Sequence, residues 1–330
     1  MTTREWGLRT LLVAALSVFA VVGCGDDAAD RAAGDAAAGK TTTVTVGTLP
    51  IANAAPMYLG MEKGFFEEEG LTIKPQVGEG GATLITSLLS GDAQFGFVGV
   101  IPAIVARAKG LPIRTAAWAD GDAAVPEEAY QVLVVEPDSG ISDVPDLAGK
   151  TIAVNALQGV AEVAIRESLA KQGVDHTTVK FLEVPFPEMP AALKAGRVDA
   201  ILAAEPFLSV ALADGAKEID APFVSVEKNF SIGVYAVSET FDRERPEVVD
   251  AFVRAMNRSV QYAADNPDEV RRILPTFTKI AEAAAKKMRL AHFSPEERRD
   301  SLELQMELTK KYGIIEEIPD PDALVRKQPG

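Results

Sequence analysis

One cysteine and two histidines are all that 330 residues provide of those two types. A lone thiol excludes an intramolecular disulfide and any multi-cysteine metal site, and so few imidazoles would leave metal binding to carboxylates. Basic residues are also in deficit, with 33 Lys and Arg against 48 Asp and Glu and a formal net charge of -15. No basic stripe offsets that balance, so nucleic acid is excluded as a partner: its binders draw their affinity from cations that neutralise phosphates. Solubility alone accounts for the acidic surface. Enzyme signatures are missing as well. There is no GxSxG, HExxH or GxGxxG sequence, and Gly78-Glu79-Gly80-Gly81 fails the last pattern at its final glycine. His176, in a turn between a helix and a strand, and His292, near a helix end, read as solvated surface. The expectation is a protein that is not an enzyme and carries no cofactor and no metal.

Apolar residues make up 47% of the chain, enough for a sizeable core and too many for wholesale disorder. The length suits two domains or one large one. At the N-terminus, Arg4 and Arg9 precede an apolar run from Leu11 to Val22 that ends at Gly23 before Cys24. This is the order of a secretory signal, and the run is too short to span a bilayer stably. Val21-Val22-Gly23-Cys24 resembles a bacterial lipoprotein box, which implies cleavage after residue 23 and lipidation of Cys24. Residues 24–42 then form a polar tether rich in Ala, Gly and Asp. Within it Gly34, Gly39, Lys40 and Thr41 match the spacing of a phosphate-binding loop. The context is wrong, because a tether leads in and a strand leads out, whereas that loop works between a strand and a helix.

From Thr43 onward strand-like runs alternate with helical ones, the grammar of α/β layers. The pattern then repeats. Leu193-Lys194-Ala195-Gly196-Arg197-Val198-Asp199-Ala200-Ile201 echoes Leu88-Leu89-Ser90-Gly91-Asp92-Ala93-Gln94-Phe95-Gly96, with Gly91 and Gly196 placed as left-handed helix C-caps. After Arg245 the texture becomes helical, with expected helices over 246–264, 268–274, 280–290 and 295–312, the last opened by a capping box at Ser294-Pro295-Glu296-Glu297. Two α/β lobes follow: a first over 43–133, a second over 134–230, and a return to the first over 231–330. The chain would cross between them near 132–136 and 229–234, making a hinge.

Several segments together resemble the substrate-binding proteins of nitrate-, sulfonate- and taurine-type ABC importers, including relatives that carry thiamin-precursor pyrimidines. They are Val46 to Pro56 with Tyr58, Glu62 to Leu71, Gly80-Gly81 ahead of Leu88 to Asp92, Gly99 and Pro102, Gly110 to Ile113, Asp146 to Lys150, Gly196 to Ala200, and Glu205-Pro206. The resemblance covers about residues 44–260. It implies a bilobal type II periplasmic-binding-protein fold, with two α/β lobes on a two-segment hinge and a C-terminal helical tail packed on the first lobe. It further implies a monomer that closes on a small-molecule ligand and delivers it to an ABC permease and its ATPase. A lipid anchor at Cys24 would hold it on the outer face of the cell membrane. A ligand sensor that signals to a membrane partner without transport needs the same hinge and cleft, and stays open as an alternative. The fungal pyrimidine synthases of this fold use a histidine- and cysteine-rich segment that is missing here.

Ligands of open α/β sheets bind at the carboxyl ends of strands. Three loops in such positions run into helices: the first supplies Asn53, Ala54 and Ala55, the second Gly81 and Thr83, and the third Asn155 and Gln158. Helix N-termini attract anions or ligand carbonyls without a formal charge. Glu205 follows a strand, and Trp118 and Asp120 end another, offering a carboxylate on each lobe and a stacking face. Phe186, Phe207 and Phe230 read mainly as core. No Lys or Arg occurs in the loops 48–56, 80–84, 98–102, 118–122, 155–160 or 203–207, whereas Asp120, Asp122 and Glu205 do. A taurine-like zwitterion or an aminopyrimidine-like ring would use both amides and acids; nitrate would not.

Overall fold

A computed structural model describes residues 41–78 and 80–329. The signal segment, Cys24 and all of the tether up to residue 40 lie outside the described residues. Thr41 leads directly into a strand, β1 (Thr42–Thr48), so the phosphate-loop spacing has no helix behind it.

The first lobe continues with α1 (Ala55–Glu62), α2 (Phe65–Glu68), β2 (Leu71–Val77), α3 (Gly81–Ser90), β3 (Phe95–Gly99), α4 (Val100–Ala108) and β4 (Ile113–Gly121). Helical spacing from Pro56 to Phe66 is broken at Gly64, whose φ of 77° splits it into α1 and α2. The second lobe comprises β5 (Gln131–Val135), β6 (Thr151–Val154), α5 (Val160–Lys171), β7 (Lys180–Glu183), α6 (Met189–Lys194), β8 (Ala200–Ala204), α7 (Phe207–Ala213) and β9 (Lys217–Asp220). After α8 (Pro222–Val226) the chain returns as β10 (Ser231–Ser238).

Strand order makes the repetition explicit. One sheet runs β11-β4-β10-β3-β1-β2 and the other β7-β6-β8-β5-β9, where β11 is His292–Phe293. β1 and β6 each sit between two parallel neighbours, and a strand that follows a crossing from the opposite lobe, β10 in one sheet and β5 in the other, is inserted antiparallel next to β3 and β8 respectively. Gly91 and Gly196 take φ of 83° and 66° at equivalent helix ends, a left-handed conformation that glycine adopts without the backbone strain a Cβ brings. The first crossing falls at 122–130, earlier than 132–136. Val132 to Val135 are buried on both faces because they pair with β8 and β9 inside the second sheet.

The tail consists of α9 (Glu239–Glu244), α10 (Pro246–Asp265), α11 (Pro267–Phe277), α12 (Glu282–Ala285), β11, α13 (Arg299–Lys311) and α14 (Pro321–Leu324). Phe252 of α10 stacks on Phe95 of β3 at 3.7 Å between ring centroids, tying the tail to the first-lobe core. Two expected helices are shorter than their sequence pattern. The stretch 280–290 is helical only over Glu282–Ala285, and the last long helix starts at Arg299, with Ser294 accepting from Glu296 N rather than capping it as a box. Both stretches carry side chains that reach the other lobe or the hinge. Arg289 pairs with Glu218 at 2.6 Å and Arg298 donates to the carbonyls of Lys228 and Asn229. Lys311 and Tyr312 add bonds to Glu167 of α5, so the tail is shared between the lobes.

Candidate functional site

The segments that link the lobes are bound to one another. Asp122 N donates to Phe230 O at 2.9 Å and Asn229 N to Ala123 O at 3.3 Å. Asp122 Oδ1 accepts from its neighbour Ala123 N and from Tyr130 N, closing the first segment into a loop. Across the lobes, Ala52 N donates to Glu205 O at 3.0 Å.

Above this hinge lies a cavity of about 50 Å³ with walls from both lobes. Among the described residues, its only polar side chains are the neutral amides of Asn53, Gln131 and Asn155, and no charged side chain lines it; apolar walls come from residues such as Phe97, Phe186 and Phe223. Three helices start at its edge: α3, α4 and α5, with N-caps Gly80, Gly99 and Gly159, none of which carries a side-chain cap bond. Gly81, Gly99, Gly159, Val160 and Ala161 line the cavity itself. The first-turn amides of a helix have no partner within it, and here no capping side chain substitutes. The result is a neutral pocket of converging positive helix ends, suited to an anionic head group held by backbone N–H.

The three loops therefore converge, but not every residue expected at the site reaches it. Asn53, Gly81 and Asn155 line the inner cavity. Thr83 and Gln158 line, together with Gly81 and Asn155, an adjoining outer groove of about 380 Å³. Ala54 and Ala55 are corrections: residues 52–54 form a short 3-10 turn, and both amides are spent inside it, Ala54 N on Ile51 O and Ala55 N on Ala52 O. Their side chains are fully buried and line neither space. Trp118 is 3% exposed within β4 between core residues and lines neither space, so it supplies no stacking face there.

Asp120 is buried within β4; Gly233, with which it pairs, lines the cavity, but Asp120 does not. Its Oδ1 accepts from Gly233 N at 3.1 Å, while Oδ2 has no partner within hydrogen-bond geometry. Burial pushes its pKa up to about 7, opposed by Asn53, the Gly233 amide and Tyr130 and reinforced by Asp122. Asp122 is likewise pushed up to about 7 by burial, against its bonds from Ala123 and Tyr130. Glu205 also lies outside the cavity lining: its carboxylate accepts from Ser209 N and Oγ, and burial raises its pKa.

The sequence reading missed the residue at the centre of this polar layer. The buried Tyr130 hydroxyl accepts from Asn53 Nδ2 at 2.5 Å and from Gln131 Nε2 at 2.9 Å, joining the first-lobe loop to the hinge and to β5. A Tyr-Gln pair heading an otherwise wholly apolar strand was the available signal. Phe186 does line the cavity, together with Phe223, which was not expected there, whereas Phe207 and Phe230 pack in or against the core. Arg289 has no local sequence signal: it comes from the tail and donates to Ala129 O at 3.1 Å, bringing the nearest cation to Asp122 and Glu205.

A family model described as NMT1/THI5 like matches residues 51–270, two thirds of the chain. The chain belongs to that family. It is similar to the taurine-binding periplasmic protein of Escherichia coli (strain K12), with 28% identity over 206 residues, which is 62% of this chain. The match spans 61% of that protein's length. A putative aliphatic sulfonates-binding protein of Bacillus subtilis (strain 168) is 28% identical over 268 residues, 78% of this chain and 75% of that one. Among solved structures, the alkanesulfonate-binding protein SsuA from Xanthomonas axonopodis pv. citri, bound to MOPS, superposes with a TM-score of 0.70 at 19% identity, covering 88% of this chain and 99% of that one. The fold is that of the bilobal periplasmic binding proteins.

Proposed function

We propose that this protein is an extracytoplasmic solute receptor of an ABC importer, non-enzymatic, whose ligand is a small organic anion of the sulfonate or taurine type. The observation that carries the reading is the meeting of three helix N-termini with glycine at the N-cap and no capping side chain, two from the first lobe and one from the second, at one cavity that no charged side chain lines among the described residues. Family membership and the names of the relatives support the same class. A ligand held from both sides favours the closed arrangement, because half of its contacts exist only there; binding thus shifts the population toward the form a permease would recognise. Cys24 fits a lipid anchor that keeps a monomeric receptor beside its transporter on the outer face of the membrane.

The three neutral carboxamides and the surrounding phenylalanines favour one other ligand class, a planar aminopyrimidine-like ring. Thermal unfolding of the purified protein against taurine, alkanesulfonates, nitrate and hydroxymethylpyrimidine separates the two. A ligand at a hundred times its dissociation constant stabilises the native state by about 2.7 kcal/mol. A midpoint shift with the sulfonates alone supports the anion reading, and a shift with the pyrimidine alone replaces it. Signalling without import is tested by solute uptake in a strain lacking the gene: undiminished uptake would favour the sensor.

A further inference from the structure

Asp120 and Asp122 do not line the cavity, yet both are bonded to residues that lead to it. Asp120 Oδ1 accepts from Gly233 N, and a Cβ built on that glycine would lie 2.8 Å from Asp120 Oδ2. Asp122 Oδ1 accepts from Tyr130 N at 3.2 Å, and the Tyr130 hydroxyl in turn accepts from Asn53 and Gln131. Gly233, Asn53 and Gln131 all line the cavity. Among the described residues, Asp120 Oδ2, Asp122 Oδ2 and Asn53 Oδ1 are buried acceptors without a donor. Such acceptors are costly to leave unpaired, and a proton on either carboxyl turns one of them into a donor.

The charges around the pair do not balance. Asp120 is faced by Asp122, Tyr130 and Tyr235, and Tyr235 also by Tyr58. Asp122 is faced by Arg289, which also acts on the buried Glu205 and forks onto Glu218. Arg298, the other tail cation at the hinge, is held by Glu227, Asp300 and the carbonyls of Lys228 and Asn229. The remaining ionisable groups on these segments, Glu127, Glu128, Lys228 and His292, are exposed to water. One arginine is thus shared among several carboxylates, three of them buried.

We propose that the anionic solute binds together with a proton, which the Asp120–Asp122 pair takes up. An anion placed beside buried carboxylates in a low-dielectric site raises the cost of keeping them ionised, and a proton removes that cost. The inference rests on the anionic-head reading given above. In the ligand-free chain burial pushes both carboxyls up to about 7, so above that pH the pair is ionised and has a proton to accept. Affinity is therefore highest below about pH 7, falls as pH rises, and levels off once the bound form is ionised too.

The probe is sodium ethanesulfonate, which stays ionised throughout and carries no amine. At about pH 8 in lightly buffered potassium chloride, saturating the purified protein is expected to take up about 0.5–1 proton per ethanesulfonate bound, read on a pH-stat. Calorimetric affinity in bis-Tris propane, a cationic buffer, is expected to fall by up to about tenfold per pH unit above about pH 7. An Asp120→Asn/Asp122→Asn double variant keeps both Oδ1 acceptors; with its fold checked by circular dichroism, it is expected to take up no proton and to bind equally at all these pH values. Asp120→Asn alone, expected to lower the uptake, serves where the double variant does not fold. Binding by the wild type with no proton uptake and a flat pH profile overturns the proposal and leaves the anionic-head reading intact. Undiminished uptake in the variants overturns the assignment to this pair. Failure of ethanesulfonate to bind overturns the anionic-head reading and the proposal with it.

Discussion

Gly99 and Val160 touch across the cleft: a Cβ built on Gly99 would lie 2.6 Å from Val160 Cγ2. Gly99 has a φ of -69°, open to any residue, so glycine is needed there for space and not for backbone freedom. Each residue also sits at the start of a helix that faces the cavity, so their separation sets how closely the two helix ends approach. Gly99→Ala is therefore expected to prop the lobes apart and weaken ligand binding by about tenfold or more, a loss of about 1.4 kcal/mol. The ligand-free midpoint should barely move. Small-angle scattering checks this directly: saturating ligand should contract the wild type and not the variant.

Asp120 and Asp122 make stability depend on pH in a defined direction. Their folded pKa values, both about 7, lie above the ordinary 3.8, so the folded chain binds more protons than the unfolded one between those limits. Stability from this pair is thus greatest below about pH 4, falls as pH rises, and is fully lost above about pH 7. Asp120→Asn keeps an oxygen for the Gly233 amide without the buried charge. Urea midpoints at pH 5 and pH 8 should show a smaller drop in the variant than in the wild type. An equal drop would mean that Asp120 is ionised at little cost.

Removing the Tyr130 hydroxyl should cost more than its size suggests. Tyr130→Phe leaves two buried amide donors, on Asn53 and Gln131, without their acceptor. A destabilisation of about 1–3 kcal/mol is expected, read as a lower urea midpoint with an unchanged slope. Because both donors line the cavity, ligand affinity should fall in parallel.

Glu205 separates a structural carboxylate from a ligand-touching one. It is occupied by Ser209, and its backbone carbonyl, not its side chain, bridges to Ala52. Glu205→Gln is expected to leave ligand affinity within about threefold of wild type, under 0.7 kcal/mol, while Glu205→Ala lowers the thermal midpoint by freeing the Ser209 amide. Loss of binding in the Gln variant with the fold intact would place the charge in the site after all.

How much of this was legible beforehand varies with the range of the interaction. Alternating apolar runs, Gly91 and Gly196 at matching helix ends, and three strand-to-helix loops are local patterns, and each loop contributes a residue to the cavity lining. Ala54 and Ala55 were misread within one of them because a 3-10 turn consumed their amides, a matter of one hydrogen-bond register that the pattern does not encode. The capping box at Ser294 was chemically sound and went unused: the helix starts at Arg299, and Arg298 just before it donates to the hinge carbonyls.

The sequence by itself determined the two-lobe α/β plan, the helical tail and the loops that run from strands into helices beside the cavity, because periodicity and glycine placement act over a few residues. Burial and charge balance at the site were decided only in the tertiary structure. Asp120, Asp122 and Glu205 look like ligand acids in the sequence, yet the fold turns all three away from the cavity lining and leaves neutral amides and bare helix ends in their place. Tyr130 and Arg289 acquire their roles from partners far along the chain. Desolvation depends on everything packed around a group, and no stretch of sequence carries that information alone.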